Sequence, residues 1–129
     1  METRFLILVK TKFKGIVWLG VRTKKFRELC AWYEKVLGLR IIHKEKGFRA
    51  YDLPNDDRIE LFSENYKSHQ HFKTGPVVGF LVDDVEQAKV EMESKGIKFI
   101  GPIRRNKSKW AHFKGPDGNI YEITVRKPK

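Results

Sequence analysis

Cysteine is nearly absent from this chain of 129 residues, in which Cys30 stands alone. One thiol excludes an internal disulfide framework and a metal site made of several cysteines, and it favours a reducing compartment, so we expect a cytoplasmic protein. Long apolar runs are also missing: residues 5–9 form a run far shorter than the ~20 residues of a membrane-spanning helix, and lysines follow it. We therefore predict a strand there, with no signal peptide and no membrane partner.

Acidic side chains are scarce beside basic ones, with 16 Asp and Glu against 27 Lys and Arg and a net charge of +11. The first 50 residues hold 13 of the basic residues and four of the acidic ones. This balance supplies the electrostatic part of nucleic-acid binding, so a basic nucleic-acid-binding module is one function to consider. Proteins that bind single strands also expose several aromatic rings, whereas most aromatic residues here fall on predicted inward faces. We therefore rank nucleic acid below a small molecule as the partner.

Apolar residues recur at helical spacing in two segments. Gly38 follows the first segment and Gly96 the second, and each glycine predicts the end of a helix. Asp84 stands where it can cap the second helix, with Gln87 three residues later. The residues expected to face inwards are Phe26, Leu29, Cys30, Tyr33, Val36 and Leu37 in the first helix and Val85, Ala88 and Met92 in the second.

Strand-forming segments surround the helices and give the order β-α-β-β-β twice. The two halves repeat in register, since Pro54 precedes Glu60 by six residues and Pro116 precedes Glu122 by six. Because 40% of the chain is apolar, we expect one domain with a sizeable core. We predict an α+β fold in which two modules form curved mixed sheets around a shared cavity. Its parts are an N-terminal extension strand at residues 1–15, a first module at 16–62, a linker at 63–76, a second module at 77–125 and a basic tail at 126–129.

Two sequence motifs carry a resemblance to a known family. Residues 32–39 read Trp-Tyr-Glu-Lys-Val-Leu-Gly-Leu, and residues 115–122 read Gly-Pro-Asp-Gly-Asn-Ile-Tyr-Glu, with Gly115 in place of the leading Asp of the family's hairpin. With a weaker match at residues 82–85, these segments resemble the vicinal oxygen chelate superfamily. That superfamily includes glyoxalases, extradiol dioxygenases, fosfomycin-resistance enzymes and bleomycin-binding proteins. The resemblance covers about residues 16–125 and implies a homodimer.

The resemblance also implies four positions for ligands of a divalent metal, and these carry over to Trp18, Glu60, Val77 and Glu122. An indole offers only an N–H donor and valine offers no donor atom, so two of the four cannot bind a metal. Strand alternation places His112 on the same face as Trp110, which makes Glu60, His112 and Glu122 the metal set that we consider. We favour no cofactor, and a divalent metal is the alternative.

The predicted inward face is aromatic and acidic, which suits a flat or cationic organic ligand through stacking, cation–π attraction and charge pairing. We therefore predict metal-independent binding of such a molecule, similar to the antibiotic-binding members of the family. The alternative within the family is a metal-dependent lyase, isomerase or dioxygenase, so whether the chain is an enzyme stays open. The residues predicted to bind the ligand are Trp18, Glu60, Phe62, Trp110, His112 and Glu122.

A packing explanation competes with this ligand site. In it the two indoles fill a closed core, and the carboxylates pair with Arg58 or Arg22. Gly20 fits either explanation, since a glycine leaves room for a ligand or allows close packing. The remaining histidines are expected at the surface; they are His43, His69 and His71.

Overall fold

The computed structural model describes residues 10–73, 75–105 and 108–126. The described chain forms two compact units, a first unit of residues 16–79 and a second unit of residues 80–126 together with residues 10–15. The elements follow the β-α-β-β-β order twice, which confirms the predicted α+β class and its repeat. The predicted strand at residues 5–9 lies outside the described residues.

The first unit consists of four strands and a short helix. These are β1 (Ile16–Thr23), α1 (Phe26–Ala31), β2 (Arg40–Glu45), β3 (Phe48–Asp52) and β4 (Arg58–Ser63). Hydrogen-bonded neighbours follow the order β2-β3-β4-β1. Strand β1 runs parallel to β4, whereas the β2–β3 and β3–β4 pairs are antiparallel. The central strand β4 therefore borders β1, which brings residues far apart in the sequence into register.

The second unit repeats this pattern around a longer helix. Strand β5 (Val77–Leu81) leads into it, followed by α2 (Val85–Ser94), β6 (Lys98–Arg105), β7 (Lys109–Lys114) and β8 (Ile120–Thr124). Strand β7 pairs antiparallel with both β6 and β8. The Asp84 carboxylate accepts the Gln87 N–H at 2.9 Å, which confirms the predicted helix cap. The three residues expected on the inner face of this helix are all buried.

Residues 10–15 join the second unit by backbone hydrogen bonds. The Lys14 N–H donates to the Leu81 carbonyl at 2.9 Å, and the Leu81 N–H donates to the Gly15 carbonyl at 2.8 Å. The Thr11 N–H donates to the Glu91 carboxylate on α2. The segment forms no regular strand of its own, and these hydrogen bonds attach it to the second unit.

The first helix ends differently from the sequence prediction. After Ala31 the chain continues as a π-helical turn, Trp32–Val36, in which the Leu37 N–H donates to the Trp32 carbonyl at 3.0 Å. An i→i+5 turn holds one residue more than an α-helical turn, so it rotates the following residues away from the inner stripe. Val36 and Leu37 are 67% and 48% exposed, and the prediction that they face inwards is wrong.

In each unit the helix packs against one face of the strands, and the residues between them form the core. In the second unit Ala111, Phe113 and Ile123 pack with buried residues of α2. Successive strand residues point to opposite faces, so His112 and Glu122 lie on the face away from that helix. In the first unit Leu61 packs with residues of the first helix, and its strand neighbours likewise lie on the other face. Within the described residues, no helix is long and apolar enough to cross a membrane.

Candidate functional site

Trp18, Glu60 and Phe62 come together on the face of the first unit that lies away from the helix. The indole Nε1–H of Trp18 donates to Oε1 of Glu60 at 2.9 Å, and the second carboxylate oxygen lies 3.9 Å from Nη1 of Arg58. Trp18 is 1% exposed and Glu60 is 7% exposed. These contacts are the ones that the packing explanation describes.

Gly20 provides the space in which the Trp18 indole lies. A Cβ built on Gly20 would stand 2.1 Å from a ring carbon of Trp18, a distance at which atoms overlap. The room left by this glycine is therefore filled by the protein's own indole.

An aromatic cluster surrounds Trp18 and includes a histidine that the sequence reasoning placed at the surface. The His69 imidazole stacks on the indole, with ring centroids 5.2 Å apart and planes 22° apart, and Phe62 and Phe72 contact the same indole. His69 is only 9% exposed, so the prediction that it is a solvated surface residue is wrong. Its Nδ1 lies 2.6 Å from the Ser68 hydroxyl oxygen. No periodicity marks such a loop position, because its burial depends on the shape of the whole segment.

Trp110, His112 and Glu122 come together on the second unit. His112 and Glu122 stand directly opposite each other on β7 and β8, with Nε2 and Oε1 3.1 Å apart and both side chains 0% exposed. The half-buried Trp110 lies two residues before His112 on the same strand face, and its ring centroid is 4.8 Å from the imidazole. The prediction that Trp110 and His112 lie on the same strand face is confirmed.

The comparison with known protein families agrees with this architecture. A model of the Glyoxalase/Bleomycin resistance protein/Dioxygenase superfamily matches residues 15–123. The chain belongs to this superfamily. The match confirms the family resemblance that the Leu-Gly helix end and the Pro-Asp-Gly-Asn hairpin carry. No curated protein matches the chain.

Several solved structures of this superfamily's fold are similar to the chain. Methylmalonyl-CoA epimerase from Mycobacterium tuberculosis has a TM-score of 0.69 and 19% identity, over 90% of each chain. The Mn(II)-bound glyoxalase from Novosphingobium aromaticivorans has a TM-score of 0.75 and 18% identity, over 93% of this chain and 41% of that one. The structure of NAD-dependent benzaldehyde dehydrogenase from Legionella pneumophila has a TM-score of 0.63 and 17% identity, over 85% of this chain and 98% of that one. At these identities the likeness establishes the fold alone.

Two of the four positions that the superfamily resemblance implies for metal ligands cannot bind a metal in this chain. Trp18 and Val77 stand at two of them and have no lone pair to give. The third, Glu60, already accepts the Trp18 N–H through one carboxylate oxygen. The fourth, Glu122, has a potential ligand beside it, the imidazole of His112. Nε2 of His112 and Oε1 of Glu122 are 3.1 Å apart. Two neighbouring ligands of one metal ion have a similar separation, because metal–nitrogen and metal–oxygen bonds are about 2.0–2.2 Å long.

Proposed function

We propose that this superfamily member binds a small organic molecule, flat or cationic, without a metal. The residues assigned to ligand binding are Trp18, Glu60 and Phe62 in the first unit and Trp110, His112 and Glu122 in the second. A homodimer and a cytoplasmic location stay predictions.

The buried His112–Glu122 pair is the observation that supports this proposal most strongly. Replacing a buried polar or ionic pair by apolar residues of similar volume is often neutral or stabilising, so such a pair is weak as a stability device. Residues that break the local rule of apolar interiors are expected at functional sites. The pair also lies beside a half-buried indole, so a π surface and a hydrogen-bonding carboxylate–imidazole unit stand together.

The two carboxylates have different roles in the proposal. Glu122 supplies negative charge for a cationic group, and His112 orients it through its Nε2 contact. Glu60 holds the Trp18 indole by accepting its N–H, and it already has Arg58 as a cationic neighbour. We therefore expect Glu122 to contribute more than Glu60 to the affinity for a cation.

A thermal-shift and calorimetric comparison tests this function on metal-free protein prepared with a chelator. The probes are bleomycin, an organic cation, and methylmalonyl-CoA, an anion, because a ligand that binds only the native state raises the melting temperature. We expect bleomycin to stabilise the protein, Glu122→Gln to abolish the shift, and the exposed control Glu93→Gln to leave it unchanged. Binding that is equal in Glu122→Gln and the parent protein would remove Glu122 from the proposal.

A metal-dependent lyase, isomerase or dioxygenase is the second candidate function, with Glu60, His112 and Glu122 as its predicted ligands. The spacing of His112 and Glu122 favours it, as does the likeness to a Mn(II)-bound glyoxalase. Elemental analysis after mild dialysis separates the two candidates. Stoichiometric Fe, Mn, Ni or Zn that Glu122→Gln removes would establish the metal-dependent function and overturn the metal-independent one.

A further inference from the structure

Arg22 is a buried arginine, and every N–H group of its guanidinium donates a hydrogen bond to residues 63–72 of the first unit. Arg22 lies on β1 and is 3% exposed. Its guanidinium makes five hydrogen bonds, all to backbone carbonyls of residues 63–72. Nε donates to Phe72 at 3.0 Å, Nη1 to Ser63 and Tyr66 at 2.9 and 3.0 Å, and Nη2 to Ser68 and His69 at 2.6 and 2.9 Å. A guanidinium has five N–H groups, so this loop takes every one.

The loop depends on this side chain for its shape. Beyond Ser63, which ends β4, residues 64–72 form turns without a helix or a strand. Backbone carbonyls removed from water need hydrogen-bond partners, and here one side chain donates to five carbonyls at buried or partly buried positions. The guanidinium also lies over the Phe62 and Phe72 rings, 5.2 and 5.6 Å from their centroids.

His69 is the residue that this arrangement fixes. Its backbone has φ 58°, the left-handed region that residues other than glycine rarely adopt, and its carbonyl is one of the five bound by Arg22. Its imidazole rests on the Trp18 indole. A buried non-glycine residue in this conformation persists only where its surroundings determine it, and such positions cluster at functional sites.

We propose that Arg22 is a positioning residue that holds the His69 imidazole on the Trp18 indole, and that His69 is a further ligand-binding residue of the first unit. The second half of this statement rests on the proposed function. Residues 63–72, which lie within the predicted linker, are then held in place by the first unit.

Lysine is not equivalent to arginine at this position. Both carry a positive charge, but the ammonium group has three donors at one point, whereas the planar guanidinium presents five in a fixed fork. Arg22→Lys therefore keeps the charge and loses the geometry. Free guanidinium ion has the same planar arrangement of N–H donors. If Arg22 acts by positioning the loop, the ion should occupy the space left in Arg22→Ala and restore the position of His69.

The positioning role is tested by NMR of the imidazole protons. His69 lies over the Trp18 ring, so the ring current shifts its protons upfield, and His69→Gln and His71→Gln identify the signals. We expect Arg22→Lys and Arg22→Ala to lose the upfield shift while the methyl spectrum stays that of a folded protein. Guanidinium chloride at about 10 mM, far below denaturing concentrations, should restore it in Arg22→Ala, and urea should not.

An upfield His69 signal that persists in folded Arg22→Lys would overturn the positioning role. If Arg22→Ala does not fold, the lysine variant alone decides. The ligand-binding role is tested with bleomycin and methylmalonyl-CoA on the full chain. His69→Gln should weaken whichever probe binds by about tenfold, and His71→Gln should not.

Equal affinity of His69→Gln and the parent protein would remove His69 from ligand binding. If neither probe binds the parent protein, the proposed function fails and takes the ligand-binding role of His69 with it. The NMR result still decides the role of Arg22, so the two failures are distinguishable.

Discussion

The Trp18 indole N–H donates to the Glu60 carboxylate at 2.9 Å between the neighbouring parallel strands β1 and β4. These residues stand at two of the positions where the superfamily resemblance implies metal ligands. At one of these positions an indole N–H replaces an electron-pair donor, and the Glu60 carboxylate at the other position accepts that N–H. In the first unit, these two positions therefore hold an aromatic side chain in place.

Removing the Glu60 acceptor is predicted to destabilise the fold through the Trp18 N–H. Glu60→Leu deprives a buried N–H of this acceptor, which we expect to cost about 1–3 kcal/mol of unfolding free energy. Glu60→Gln keeps an oxygen in place and should cost less. Urea unfolding measures both. In the background Trp18→Phe, which has no N–H, the difference between the leucine and glutamine variants should shrink, and an unchanged difference would contradict the role of this hydrogen bond.

The space above Gly20 is predicted to be reserved for the Trp18 ring. Gly20→Ala places a methyl group where the indole lies, and overpacking of this kind costs about 1–3 kcal/mol. Trp18→Leu removes the ring and should reverse the sign of the alanine effect or cancel it. Thermal or urea unfolding of the two single variants and the double variant gives the answer. Additive effects of the two substitutions would show that the methyl group and the indole do not meet.

The repeat explains why so much of the fold could be predicted from the sequence. Glu60 follows Pro54 at the same interval as Glu122 follows Pro116, because each module ends in the same kind of antiparallel hairpin. The alternation that placed Trp110 and His112 on one face also holds, since a strand has period two everywhere. Local periodicity was sufficient for these features.

The features that could not be predicted depend on tertiary contacts. The π-helical turn at Trp32–Val36 exposes Val36 and Leu37, although their spacing is that of an α-helical stripe. His69 is buried because Arg22 organises backbone groups 41 to 50 residues away. The sequence around the π-helical turn has no spacing that reveals its extra residue. The sequence around Arg22 likewise has no spacing that reveals its hydrogen bonds to five distant carbonyls.

The attachment of residues 10–15 is predicted to weaken in acid. The hydrogen bond from Thr11 holds the pKa of the Glu91 carboxyl below its ordinary value. A carboxyl with a lowered pKa in the folded state contributes stability that is present above the unfolded-state pKa and is lost as pH falls through the folded-state pKa. The Thr11 amide resonance should therefore follow a titration whose midpoint lies below that of an unperturbed glutamate.

Matched variants separate this titration from general acid effects. Glu91→Gln should abolish the pH dependence of the Thr11 amide, whereas Glu93→Gln, an exposed position two residues further along α2, should leave it unchanged. A Thr11 resonance that titrates identically in all three proteins would show that Glu91 does not hold this segment.

The His112–Glu122 pair is predicted to be retained for binding rather than for stability. Glu122→Leu removes the carboxylate that His112 contacts, and we expect it to cost about 1–3 kcal/mol of unfolding free energy. Adding His112→Phe makes the position apolar on both strands, and this double variant should recover much of the loss, since apolar replacements of buried pairs are often tolerated.

Urea unfolding measures the stability of these variants, and calorimetry with bleomycin measures their binding. A stable double variant that no longer binds is the expected result, because the same surface then packs well but has no charge to offer. A double variant that binds bleomycin like the parent protein would exclude the pair from the ligand site, and one as unstable as the sum of its single substitutions would make the pair a structural feature.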